Sequence, residues 1–252
     1  MEIATLDEKA QAAAKMIESS SYAIVFTGAG ISAESGIPTF RGPGGLWEKY
    51  DPMKYASIEG FMEDPIAAWK FYAERARVAV RAKPNLAHTV IAKMEEAGLV
   101  KAVITQNVDG LHRRAGSKNV IELHGTMWRL RCFNPYCDYV AELRKPPEEL
   151  PPRCPKCGTI LRPDVVLFGE PLPQDALREA FYHAARADLV LVVGTSGVVY
   201  PAAMIPQVVK ENGGKLIDVN PGDDAYVSIA DLYIRAKASE ALRSIGRYLG
   251  LI

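Results

Sequence analysis

The run Thr105-Gln106-Asn107-Val108-Asp109 sets an amide and a carboxylate two residues apart, directly after the apolar stretch Val100 to Thr105. If that stretch is a strand, Asn107 and Asp109 point the same way and can hydrogen-bond one carboxamide, with His112 following. A second end of this kind is Glu122-Leu123-His124-Gly125, after the strand-like Asn119 to Leu123. Open parallel sheets bind ligands beyond the carboxyl ends of their strands. Of the four histidines only His124 closes such a segment directly before a glycine. Its imidazole, with an ordinary pKa near 6.5, is therefore the candidate general base, against the plainer reading of a satisfied structural histidine.

The four cysteines fall as Cys132-x4-Cys137 and, sixteen residues on, Cys154-x2-Cys157-Gly158. Two such knuckles converge four thiolates into the tetrahedron of a structural zinc site, with no open position for water. The alternatives are two disulfides, disfavoured where no export signal is seen, or four unrelated buried thiols. Trp128 to Pro163, which holds all four cysteines, also has seven prolines and little periodicity, so it needs a staple. Its seven Lys or Arg against four Asp or Glu (Trp128 to Arg162) are too small a surplus to favour nucleic-acid binding.

Gly28-x-Gly30-x-x-Ala33 follows the β-rich Tyr22 to Phe26 and resembles a phosphate-binding turn. The acidic residue that usually follows about 20 residues later, after a second strand, is missing. That window, Glu48 to Asp51, has no strand before it. The hydroxyl- and amide-rich turns Gly194-Thr195-Ser196 and Asn220-Pro221-Gly222 can supply the adenosine pocket instead.

These turns require strands at Tyr22–Phe26, Val100–Thr105, Asn119–Leu123, Val165–Phe168, Leu189–Val193 and Lys215–Val219. Helices are expected from Thr5 to about Ser19, from Ile31 onward, and over Ala87–Ala97, Gln174–Ala187 and Pro201–Glu211. Strands alternating with helices imply an α/β fold, a doubly wound parallel sheet covered on both faces. Gly42 to Pro84, with Trp47, Trp69, Phe71 and Tyr72, reads as a helical insertion. The boundaries are 1–41, 85–127 and 164–252 for the sheet domain, with 42–84 and 128–163 forming a smaller domain. The chain has 252 residues, 48% of them apolar, and thirty basic side chains balance thirty acidic ones. That excludes disorder as the main state and any global field for nucleic acid or an anionic membrane. Met1 to Ser20 lacks a basic leader and apolar run, and Leu189 to Pro206 is too interrupted to span a bilayer; both point to the cytoplasm.

Taken together, these stretches resemble the sirtuin family of NAD-dependent protein lysine deacylases. The matching pieces are Gly28-Ala29-Gly30-Ile31-Ser32, Ser35 to Gly42, Thr105 to Asp109, His124-Gly125, the four cysteines, Phe168-Gly169-Glu170, Gly194-Thr195-Ser196 and Val219-Asn220, in the family's order. The resemblance implies a Rossmann-like domain with a smaller inserted domain of zinc ribbon and helices, and a cleft where NAD and an acyl-lysine peptide meet. It implies His124 as catalytic base with Asn107, and Gln106, Asn107 and Asp109 around nicotinamide and its ribose. Ala29, Phe40 and Arg41 line the pocket, with further NAD contacts at Gly28, Gly30, Ile31, Ser32, Ile37, Trp47, Val108, Gly194, Thr195, Ser196, Asn220, Pro221, Gly222 and Ala238. NAD is consumed rather than reduced, and one structural Zn2+ sits on Cys132, Cys137, Cys154 and Cys157.

The acyl-lysine peptide is expected between Val166, Leu167, Phe168 and Gly169 on one side and Gly197, Val198 and Tyr200 on the other. Tyr72-Ala73-Glu74-Arg75 resembles the Tyr-x-x-Arg signature of the branch that removes succinyl and malonyl groups, and Ala56 falls where that branch keeps a small residue. Arg75 can pair bidentately with a carboxylate. Partners are acylated lysine-containing proteins, chromatin or other nucleic-acid-associated proteins among them, with no membrane and no direct nucleic-acid binding. A dehydrogenase, a zinc-dependent nucleic-acid module and an ADP-ribosyl transferase stay open as rivals.

Overall fold

The computed structural model describes residues 4–252. The expectation about the N-terminal leader therefore falls partly, at residues 1–3, outside the described residues. Helix α1 (Leu6–Ser19) starts at the anticipated capping box: Thr5 Oγ1 accepts from the Glu8 N–H at 3.2 Å, and the Glu8 carboxylate accepts from the Thr5 N–H at 2.7 Å. Strand β1 (Ala23–Thr27) follows and is wholly buried. The helix expected from Ile31 is instead a 3-10 helix, Ala29–Ser35, stopped by Gly36 in the left-handed region at φ 85°.

Helices α2 (Pro52–Tyr55), α3 (Ile58–Glu63) and α4 (Pro65–Arg81) make up the helical insertion, capped by Asp51, Ser57 and Asp64. Then come α5 (Leu86–Glu96), β2 (Val100–Thr105), α6 (Leu111–Arg114), β3 (Val120–Glu122), β4 (Gly125–Cys132), β5 (Val140–Glu142) and β6 (Leu161–Val165). The chain closes with α7 (Gln174–Arg186), β7 (Leu189–Val193), α8 (Met204–Glu211), β8 (Lys215–Val219), β9 (Leu232–Ile234) and α9 (Ala238–Tyr248).

Six strands form one parallel sheet in the order β3-β2-β1-β7-β8-β9. Their near-continuous apolar runs follow from burial on both faces. Ile17, Ile91, Leu242 and Ile245 pack with one face, while Ala180, Ala184, Ile205 and Val209 pack with the other. Strand order reverses between β1 and β7, which opens a crevice at their carboxyl ends.

A three-stranded antiparallel sheet, β5-β4-β6, carries a third core with Trp69, Phe71 and Leu130. Here one expectation changes. The strand read at Val165–Phe168 is Leu161–Val165, and it pairs antiparallel with β4 (Gly125 with Val165, Cys132 with Leu161) rather than joining the parallel sheet. The boundaries after residues 127 and 163 consequently fall inside β4 and β6. Strand β3 ends at Glu122 and β4 starts at Gly125, so Leu123 and His124 are the whole connection from β3 in the parallel sheet to β4 in the antiparallel one. Helix α8 begins three residues later than expected, and β9 and α9 complete the fold beyond the anticipated elements.

Candidate active site

A cavity of about 970 Å3 opens where the parallel strands end, in the upper range of small-molecule sites. Its wall is drawn from successive strand ends: Gly28, Ala29 and Gly30 after β1, Gln106, Asn107 and Val108 after β2, and His124 after β3. Gly194, Thr195 and Ser196 follow β7, Asn220, Pro221 and Gly222 follow β8, and Ala238 opens α9. Phe40, Arg41 and Trp47 face it from the segment before α2.

The glycines of the first turn are needed by the protein itself. A Cβ on Gly28 would lie 2.7 Å from Thr195 Cβ, and one on Gly30 would lie 2.7 Å from Gly194 Cα. Gly30 N–H donates to Gly194 O at 2.8 Å, and Gln106 Nε2 donates to Thr195 Oγ1 at 2.8 Å. The turns on either side of the strand-order reversal are thereby locked together.

Asn107, buried, donates through Nδ2 to Gly28 O at 3.0 Å, and its own N–H donates to Thr105 Oγ1 at 3.0 Å. Asp109, also buried, accepts from Ser32 Oγ at 2.7 Å and from the Leu111 N–H at 2.9 Å. Burial pushes its carboxyl pKa up, against the pull of those two donors. His124 is half-buried and carries the decisive geometry. Its Nδ1 lies 3.1 Å from Gln106 O, a carbonyl that can only accept, so Nδ1 holds the proton and Nε2 keeps the lone pair. Burial lowers its pKa, partly offset by that carbonyl, and favours the neutral base.

Gly125 fixes where this imidazole stands. Its backbone is left-handed at φ 75°, and a Cβ there would be 2.1 Å from Asp164 O.

Tyr72, Arg75 and Ala56 line the same cavity. The Arg75 guanidinium lies over the rings of Phe40 and Phe71, 4.5 and 5.3 Å from their centroids. It makes no ion pair among the described residues. Burial lowers its pKa and raises that of the Tyr72 hydroxyl to about 12, so Tyr72 keeps its proton to donate.

Val166, Leu167, Phe168 and Gly169 lie along the wall, as does Tyr200. Several of their peptide groups are already used: Val166 N–H donates to His124 O at 2.9 Å, and Phe168 exchanges hydrogen bonds with Ala56 O and Ile58 N–H. The peptide groups of Gly169 and Val198 bond to nothing among the described residues.

Six expected contacts stand off the wall. Ile31 is wholly buried in the sheet core, and Ser32 and Asp109 form the layer behind Asn107. Ile37 lines a small neighbouring pocket with Phe71 and Met127. Gly197 packs against Tyr226, and Val198 is exposed outside the cavity. Glu34, Lys237, Asp223 and Asp224 line the cavity without having been anticipated. A polar turn at the end of a predicted strand was the available signal for the two aspartates.

The four cysteine sulfurs lie within 4.8 Å of one another, with Cys132 and Cys157 at 3.4 Å and Cys137 and Cys154 at 3.8 Å. Tetrahedral Zn–S bonds of about 2.3 Å imply S–S separations of about 3.8 Å. The donor set fits one structural zinc.

The sequence profile described as the Sir2 family matches residues 28–201. The chain belongs to the Sir2 family. Among curated relatives, this Sir2-family chain is 55% identical over 229 residues to NAD-dependent protein deacylase 2 of Pyrobaculum aerophilum, covering 91% of each chain. It is 54% identical over 242 residues to the NAD-dependent protein deacylase of Thermococcus kodakarensis, covering 93% of each. A Sir2 homologue solved with NAD superposes on the Sir2-family fold with a TM-score of 0.90 at 46% identity, over 95% of this chain and 93% of that one. A Sir2 protein solved with a p53 peptide and NAD+ gives 0.87 at 42%, over 94% and 97%. Sirtuins use NAD as co-substrate, and the strand-end cavity and four-sulfur cluster are this chain's counterparts for dinucleotide and zinc.

Proposed function

We propose that this chain is an NAD-dependent protein lysine deacylase that removes acetyl groups and, through Tyr72 and Arg75, succinyl and malonyl groups. One observation carries the reading: His124 presents an unprotonated Nε2 to a cavity built from strand ends, with its tautomer set by Gln106 O. NAD supplies the ribose carbon that takes the acyl group as nicotinamide leaves, so it is consumed. Gln106 and Asn107 serve the nicotinamide end. Because Asn107 Nδ2 is spent on Gly28 O, its Oδ1 remains as the acceptor for a carboxamide N–H or a ribose hydroxyl. Asp109, behind them, holds Ser32 and the start of α6. His124 takes a ribose hydroxyl proton through Nε2, and the bond to Gln106 O stabilises the imidazolium that results.

An extended acyl-lysine peptide pairs main chain with Gly169 on one side and Val198 on the other, a mode that reads backbone more than sequence. The acyl end reaches Ala56, Tyr72 and Arg75. A terminal carboxylate would there meet a guanidinium that no protein carboxylate neutralises. The parallel-sheet unit binds NAD, and the unit of helical insertion and zinc module closes over it. No helix among the described residues is long and apolar enough to cross a membrane. Substrates are acylated proteins of the cytoplasm, with nucleic-acid-associated proteins among them.

The test is mass spectrometry of acetyl- and succinyl-lysine peptides incubated with and without NAD. NAD-dependent loss of both acyl groups, with release of nicotinamide, is expected. Growth of reduced-nicotinamide absorbance without deacylation would replace the reading by a dehydrogenase.

A further inference from the structure

The loop 106–110 carries Asn107 and Val108 to the cavity wall and lies in no helix or strand, so its buried peptide groups must find partners elsewhere in the fold. Two of those partners come from β4, the strand that leads into the zinc module. Met127 N–H donates to Val108 O at 3.0 Å, and the Trp128 indole donates through Nε1 to Asp109 O at 2.7 Å. These bonds hold the two peptide groups that follow Val108.

The pairing of β4 explains how both donors become available. Thr126 faces Asp164 on β6, and Leu130 faces Pro163, so Met127, Trp128 and Arg129 bulge out with no register partner on that side. Bulges of this kind re-aim side chains beside active sites. Here the Met127 N–H and the Trp128 ring meet the loop. The ring also sets the next residue of the loop: Gly110 is left-handed at φ 72°, and a Cβ there would stand 2.9 Å from Trp128 Cδ1 and Nε1. The strand meanwhile stays tied to the zinc module, with Leu143 N–H donating to Trp128 O at 2.8 Å and Cys132 closing β4. Trp128 itself is half-buried and does not line the cavity. What it does for a ligand it does through Asp109 O and the loop.

We propose that Trp128 is a positioning residue: its indole N–H on Asp109 O holds the loop in the shape that presents Asn107 to the dinucleotide, and makes that shape depend on β4 and the zinc module. This rests on the deacylase reading for the identity of the ligand that Asn107 meets.

The test is steady-state deacetylation by the zinc-loaded protein, with NAD and acetyl-lysine peptide varied in turn, for wild type, Trp128→Phe and Trp128→His. Phe keeps a flat ring and loses the donor. His gives up the larger ring but can carry an N–H at Nε2, the same place in a five-membered ring as the indole Nε1, and at about pH 8 it is neutral. Losing a hydrogen bond that holds the loop should raise KM for NAD by about fivefold in Trp128→Phe, with KM for the peptide within about twofold of wild type. Trp128→His should bring KM for NAD back to within about twofold. A fold merely loosened would lower kcat through the active fraction and leave both KM values in place. An unchanged KM for NAD in Trp128→Phe overturns the assignment. So does a KM for NAD raised in Trp128→His as much as or more than in Trp128→Phe, which would trace the effect to ring packing. If wild type shows no NAD-dependent deacetylation, the deacylase reading fails and this proposal with it, a result distinct from an unchanged KM.

Discussion

Arg162 grips Glu170 with two parallel bonds, Nη1 to Oε1 at 2.5 Å and Nη2 to Oε2 at 2.7 Å. Arg162 also donates to Val165 O at 2.9 Å, and Glu170 Oε2 accepts from the Leu167 N–H at 2.9 Å. The pair staples the end of β6 to the turn that carries Phe168 and Gly169. With Arg162 4% and Glu170 16% exposed, replacing Glu170 by Ala strands a buried guanidinium, at a cost of about 3 kcal/mol or more. Urea denaturation at pH 7 should show that loss. Burial pushes the Glu170 carboxyl pKa up, but Arg162 and the Leu167 N–H outweigh it and hold it below the usual range. The contribution is therefore fully present above about pH 4.3 and is lost as pH falls through the depressed folded value. The gap between wild type and Glu170→Ala should shrink in acid; a gap that does not change with pH would contradict the ion-pair account.

His124→Ala should lower nicotinamide release with acetyl-peptide by about 100-fold or more, the usual scale for a general base. Its thermal melting should stay close to wild type. Because burial places the His124 pKa below 6.5, kcat/KM should be flat above about pH 7 and fall as protonation proceeds in acid. Near wild-type turnover in the variant would remove His124 from the chemistry.

Strands β1, β2, β7 and β8 were legible because a buried parallel strand is a short apolar run closed by glycine or polar residues. The zinc cluster was legible from spacing alone. Helix α9 carries a legible mark too: Ala238, Ala241, Leu242 and Ile245 repeat at 3, 4 and 7 and are all buried. What sequence does not carry is the order of strands. The interlock of Gly30 with Gly194 joins residues 164 positions apart, and no local pattern marks it. The grip of Arg162 on Glu170 is likewise marked by no local pattern. The apolar run Val165–Phe168 is four residues long, whereas β6 spans Leu161–Val165 and carries Arg162, Pro163 and Asp164, so neither its bounds nor its partner's direction can be read from an apolar pattern.

Elemental analysis should find one zinc per chain. Cys132 and Cys154 are buried in the third core with Trp69 and Leu161, so metal loss leaves thiols there with no cation to organise them. Cys137→Ser should abolish zinc retention and lower the melting temperature by several degrees, about 4 °C per kcal/mol or less at this chain length. Deacylation should fall with it, since β4 and β6 carry the wall at Val165 and Val166. Unaltered melting and activity after complete zinc removal would show that the cluster is not structural.

Arg75 sits over Phe40 and Phe71 with no ion pair of its own, an arrangement that leaves its charge available to the cavity. A succinyl or malonyl carboxylate reaching it would gain charge-assisted hydrogen bonds worth about 1.5–3 kcal/mol, and the Tyr72 hydroxyl could add a neutral one. An acetyl group has nothing to offer either residue beyond apolar contact. Arg75→Met keeps an unbranched apolar stem and removes the charge, so the succinyl/acetyl ratio of kcat/KM should drop by about tenfold or more. Tyr72→Phe should lower it in the same direction by less. The ratio discriminates where absolute rates do not, because loss of packing against Phe40 would slow both substrates together. A ratio unmoved by Arg75→Met would mean that the guanidinium braces the aromatic wall and takes no part in choosing the acyl group.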